Sequence, residues 1–139
     1  MQDDPILLID VRAWLMKAMN DLRGVDVDLA ANPPLLEDAL FHCQQVVEKS
    51  FKAFLTYHNE PFRRTHSLEE TGEACLRYDA TLKPLVDEAV PLSQYAWMYR
   101  YPGHPAVPSV EEVLLARDCA QRVYQAILDR LPARVHPEP

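Results

Sequence analysis

From Leu8 to Leu29 the apolar positions Leu8, Val11, Leu15, Ala18, Leu22, Val25 and Leu29 are spaced alternately three and four apart. That period puts them on one face of a long amphipathic α-helix. The helix opens near Asp4-Pro5 or Asp10, tolerates Gly24 at some local cost, and stops at Asn32-Pro33-Pro34, which also starts the next helix. The second helix runs to about His58-Asn59, where Glu60-Pro61 ends it. Ser67, with Glu70 three residues on, forms a capping box for a short third helix. Thr81 caps a fourth, carrying Leu82, Leu85, Val86 and Ala89. Pro91 kinks or ends it, with Leu92 to Tyr99 continuing helically. Tyr101 to Pro108 is an irregular loop. Ser109 and Glu112 then form a second capping box for the last helix, whose core face is Val110, Val113, Leu114, Ala120, Tyr124, Ile127, Leu128 and Leu131. Pro132 begins a polar tail. One domain over residues 1–132 with a disordered tail over 133–139 is therefore expected. No stretch alternates apolar and polar residues between turn signals, so no strand is assigned. The expected fold is all-α: an up-and-down bundle of about five helices.

The second helix carries the most informative polar pattern. At 100° per residue, Leu36, Leu40, Cys43, Val47, Phe51, Phe54 and His58 fill a broad arc. His42, Gln45, Lys49, Lys52 and Thr56 share a narrow stripe opposite, with Glu48 at its edge. An imidazole, an amide and two amines in line would suit an anionic or nucleotide-like ligand; the alternative is a solvated face or a dimer contact. The loop after this helix, Arg63-Arg64-Thr65-His66, brings positive charge to the start of the Ser67 helix. Free N–H groups and the dipole favour an anion there. Arg63, Arg64 and His66, with Lys49 and Lys52 facing the same space, are thus candidates for binding a nucleotide phosphate or RNA backbone, and ordinary loop charge is the alternative.

Composition narrows the function classes. A net charge of -7 argues against gripping nucleic acid by charge alone. Three glycines against twelve prolines favour helices punctuated by prolines. No apolar run is long enough to cross a membrane, and Met1-Gln2-Asp3-Asp4 lacks the basic start of a signal peptide. Cys43, Cys75 and Cys119, an odd number without metal-like spacing, read as buried, reduced thiols of a cytoplasmic protein. With no phosphate-binding glycine loop, nucleophile elbow, zinc spacing or carboxylate dyad, neither a metal nor a cofactor is expected. Arg100 lies among Tyr95, Trp97, Tyr99 and Tyr101. Such rings stack on bases or, more often, build a core or an interface.

Four segments, in order, resemble the HEPN-domain family (higher eukaryote and prokaryote nucleotide-binding): Val11 to Leu22; Glu37 to Gln45 with Glu48-Lys49 and Lys52-Ala53; Pro61 to Glu70; and Tyr95 with Arg100-Tyr101-Pro102-Gly103. The resemblance implies an all-α bundle that dimerises and pairs with a small nucleotidyltransferase-fold protein. It also implies kinship to toxins of toxin–antitoxin pairs that cut RNA without a metal. Those use an arginine, a polar residue, a few more residues and a histidine, the histidine as acid or base and the arginine on the phosphorane charge. Arg100 and His104 would fill these roles, but three residues separate them, Tyr101 follows Arg100, and Pro102 forbids a regular helix there. Arg130 and His136 have the longer spacing but lie beyond the expected place. The expected role is therefore a homodimeric binding and assembly module with a nucleotidyltransferase partner. A metal-independent ribonuclease using Arg100 and His104, and a nucleotide sensor using His42, Gln45 and Lys49, are the alternatives.

Overall fold

Asp4 starts the first helix: its Oδ1 accepts from the Ile6 N–H at 2.9 Å, and Pro5 takes the first helical position. In the computed structural model, which describes residues 2–104 and 106–138, this helix is α1 (Pro5–Ala30). It is followed by α2 (Leu36–Tyr57), α3 (Leu68–Leu76), α4 (Lys83–Ala89) and α5 (Val110–Asp129). Short 3₁₀ segments cover Ala80–Leu82, Val90–Ala96 and Ala133–Val135, and the described residues contain no strand. The all-α expectation holds. No helix is long and apolar enough to cross a membrane among the described residues.

The caps explain several boundaries. Ser67 Oγ accepts from the Glu70 N–H at 3.3 Å, and Ser109 Oγ from the Glu112 N–H at 3.1 Å. The two glutamates do other work: Glu70 accepts from Arg63 Nε at 2.7 Å, and Glu112 from the Tyr95 hydroxyl at 2.7 Å. Before α4, Asp79 rather than Thr81 is the cap, its Oδ1 accepting from the Thr81 N–H at 3.0 Å. The chain enters α4 through the 3₁₀ turn this creates.

α2 is the central helix. It lies along α1 and packs against α5 and α3 on its other sides. Leu40, Cys43, Val46, Val47, Phe51, Phe54 and Leu55 are buried around it. From α1 come Val11, Leu15, Ala18 and Val25, and from α5 Val113, Ala116, Ala120, Val123 and Ile127. Val110 and Leu114, expected in the core, face outward instead; the inward stripe of α5 is rotated by about one residue. All three cysteines are buried free thiols, and burial pushes Cys43 up to about 12 and Cys119 up to about 11. After Pro132, Val135 is buried, and His136 Nε2 lies 2.8 Å from the Leu128 carbonyl oxygen and 3.0 Å from that of Leu131. Carbonyls at the end of α5, which have no partner within the helix, supply these acceptors.

Gly72 lets α3 approach its neighbours. A Cβ there would stand 2.6 Å from Val86 Cγ1 and 3.4 Å from Phe51 Cε2. Gly72→Ala is expected to cost about 1–3 kcal/mol by overpacking, outweighing the roughly 1 kcal/mol that alanine gains in a helix. Urea unfolding checks this; a variant as stable as wild type would contradict it.

Candidate functional site

The polar stripe of α2 is buried at Gln45, Glu48 and Lys52 and half-buried at His42, Lys49 and Thr56. Glu48, at 4% exposure, sits at the centre of one cluster. Its Oε1 lies 2.6 Å from His66 Nδ1 and accepts from Gln44 Nε2 at 3.1 Å, while Oε2 accepts from Lys52 Nζ at 3.3 Å. Lys52, at 7% exposure, also donates to the Thr65 carbonyl at 3.3 Å. Its ammonium lies 5.5 Å from the Trp14 ring centroid and 5.7 Å from that of Phe62. Gln44 Nε2 reaches the His66 carbonyl at 3.2 Å, and Gln45 Nε2 donates to Gln44 Oε1 at 2.6 Å. A buried charge is tolerable only when paired and hydrogen-bonded. This cluster meets that condition and fastens the loop before α3 to α2.

A second cluster joins α2 to α1. Asp21 Oδ1 lies 2.7 Å from His42 Nδ1, and Asp21 Oδ2 accepts from Lys49 Nζ at 2.5 Å. The other ring nitrogen, His42 Nε2, stands 3.3 Å from Asp38 Oδ2 and 3.9 Å from Asp28 Oδ2. The His42 ring rests on Gly24, where a Cβ would come within 3.2 Å of it. Asp28 Oδ2 is buried without a hydrogen-bond partner among the described residues. Desolvation, reinforced by the neighbouring Asp38 carboxyl and opposed by His42, raises the Asp28 pKa to about 6.

His42, Gln45, Lys49 and Lys52 thus lie together on α2, but against this chain's own carboxylates and amides. Asp21 and Asp28 escaped sequence reasoning. The available signal was two acids seven apart on the inward stripe of α1, in line with Ala18 and Val25 and facing the cations of α2.

Around the loop, Arg63 Nε pairs with Glu70 Oε1 at 2.7 Å, Arg64 is exposed, and His66 reaches inward to Glu48. The first turn of α3 contains Glu69 and Glu70, so its positive end already has carboxylates beside it. Lys52 touches this loop from inside through Thr65, whereas Lys49 turns to α1. The outer surface of the loop therefore does not gather the five basic residues, Arg63, Arg64, His66, Lys49 and Lys52, that the sequence grouped.

Arg100 and His104 sit on one exposed, irregular loop. The Arg100 guanidinium carbon lies 4.1 Å over the Phe41 ring centroid, tying the loop to the start of α2. The His104 ring is 5.0 Å from that of Tyr99 and its Nδ1 accepts from the Ala106 N–H at 3.2 Å. Gly103, with φ of 110°, supplies the left-handed turn between them. Pro105 lies outside the described residues. Trp97 and Tyr101 project outward, while Tyr95 is buried and bonds Glu112. The other arginine–histidine pair has structural tasks: Arg130 Nε pairs with Asp79 Oδ2 at 2.6 Å, and His136 closes the end of α5.

Apolar side chains are also exposed outside the core. Asp26, near the end of α1, accepts from Arg117 of α5 at 2.6 Å. Beside this ion pair are Val27, 69% exposed, and Leu114, one turn before Arg117. Leu35 and Val107 line a cleft of about 340 Å³ with Pro34, Pro108 and Asp38. Val107 is 84% exposed, and Val110 is exposed as well.

A family model described as HEPN domain matches residues 11–131 of the chain. No curated protein and no solved structure matches it.

Proposed function

The chain belongs to the HEPN-domain family, and we propose that it acts as a binding and assembly module: a homodimer that pairs with a small nucleotidyltransferase-fold protein. The observation that carries this reading is the division of labour between surfaces. The cations of α2 are engaged by internal carboxylates, while Val27, Leu35, Val107, Val110 and Leu114 leave apolar surface in water. Exposed apolar side chains favour association, and a two-fold dimer is the simplest closed arrangement. The nucleotidyltransferase partner, in a toxin–antitoxin-like or nucleotide-related system, rests on the family resemblance. Co-expression with a nucleotidyltransferase-fold protein encoded by the adjacent gene tests it. Co-elution of the two is expected; separate elution contradicts the pairing.

A metal-independent ribonuclease is the second reading, favoured by one observation: Arg100 and His104 are solvent-facing on the same loop. The short spacing and the stacking of Arg100 on Phe41 argue against it. We therefore expect purified protein to leave RNA intact and its expression alone to cause no growth arrest. Cleavage or arrest that disappears in both Arg100→Ala and His104→Ala would reverse the order of the two readings.

A further inference from the structure

We propose that Asp28, Asp38 and His42 form a binding site for a first-row divalent cation of the zinc type, where the end of α1 meets the start of α2. One ligand atom from each residue falls within 4.8 Å of the others. Two ligands on one metal, each ~2.1 Å from it, stand roughly 3.0–3.4 Å apart. His42 Nε2 and Asp38 Oδ2, at 3.3 Å, already have that spacing, and Asp28 Oδ2, at 3.9 Å from the same nitrogen, needs a small carboxylate rotation.

Asp28 is the independent sign of a ligand. It is 6% exposed, and its Oδ2 is buried, aimed at His42, and without a hydrogen-bond donor among the described residues. A carboxylate oxygen stripped of water and left without a donor is costly. Its position in the last turn of α1, at the negative end of the helix dipole, and its proximity to a second carboxylate add to that cost. A cation between the two carboxylates removes all three penalties at once.

His42 is oriented for the same task. Its Nδ1 is hydrogen-bonded to Asp21, itself fixed by Lys49, which leaves Nε2 toward Asp28 and Asp38. A carboxylate behind the imidazole of a metal ligand fixes the tautomer and raises the basicity of the ligating nitrogen. Gly24 lets the ring lie close against α1. Asp38, with its side chain 50% exposed, gives access and room for water ligands. One imidazole nitrogen with two carboxylate oxygens suits zinc or manganese better than calcium, which takes six to eight oxygens. The expectation of no metal came from spacing along the chain, which cannot register ligands that converge from two helices.

The test is calorimetric titration of ZnCl2 into tag-free, chelator-stripped full-length protein. Wild type is expected to bind one equivalent per chain. Asp21→Asn should weaken binding by about 10–100-fold, the usual cost of losing a partner behind the ligand. His42→Gln, Asp28→Asn and the half-exposed Asp38→Asn should each cost more than that. Chelated Asp28→Asn is expected to melt no lower than wild type, because it loses an unpartnered buried charge; this separates lost zinc binding from lost folding. No zinc binding by wild type overturns the proposal. So does binding of wild-type strength in either Asp28→Asn or His42→Gln, which would place the zinc elsewhere or leave His42 as a plain counter-ion of its carboxylates.

Discussion

Glu48→Ala is expected to destabilise the fold by about 3–5 kcal/mol, the usual cost of removing one partner from a buried ion pair. The substitution leaves the Lys52 ammonium at 7% exposure with the Thr65 carbonyl and two aromatic rings but no counter-charge. It also frees His66 and one hydrogen bond of Gln44, so the loop before α3 loses its anchor on α2. Glu48→Gln keeps the shape and an acceptor and should cost less. Urea unfolding followed by circular dichroism checks both. If the polar stripe of α2 were a solvated or ligand-facing surface, Glu48→Ala would fall within about 0.5 kcal/mol of wild type, as surface substitutions do.

That contrast marks where the sequence was legible. The three–four spacing from Leu8 to Leu29 gave α1, and the serines at 67 and 109 gave the starts of α3 and α5, because these signals are local and each has one structural solution. The environment of α2 was not local. Its broad apolar arc suggested a helix with one wet face, yet Asp21 of α1 pairs with His42 and Lys49 while Gln44 and Glu48 of α2 itself satisfy Gln45 and Lys52, so the stripe is partnered within the chain. A helix wheel shows which residues share a side but not what lies opposite. Thr81 lost the cap to Asp79 for a related reason: both residue types cap helices, and the 3₁₀ turn that decides between them leaves little trace in composition. Of the site residues, His104 could be placed on a loop from the prolines and glycine of Tyr101 to Pro108. The Arg100 contact with Phe41 joins positions far apart in the chain and was not readable.

The second large effect concerns assembly. Val27→Glu with Leu114→Glu is expected to convert the proposed dimer to a monomer at micromolar concentration. Both side chains are exposed, Val27 beside Asp26 in the chain and Leu114 one turn before Arg117, so charge there costs little in the folded chain. In a two-fold interface each substitution appears twice, and carboxylates brought together in a dry contact repel while losing their hydration. The thermal unfolding profile of the isolated variant should still show one cooperative transition, since Val113, Ala116 and Val123 rather than Leu114 carry the inward face of α5.

Light scattering coupled to size exclusion, on wild type and on this double variant at the same micromolar concentration, is the most direct measurement of whether the outer apolar surface is the working surface of the protein. Twice 15.9 kDa for wild type and 15.9 kDa for the variant are expected. A monomeric wild type, or a variant that remains dimeric, would contradict the account.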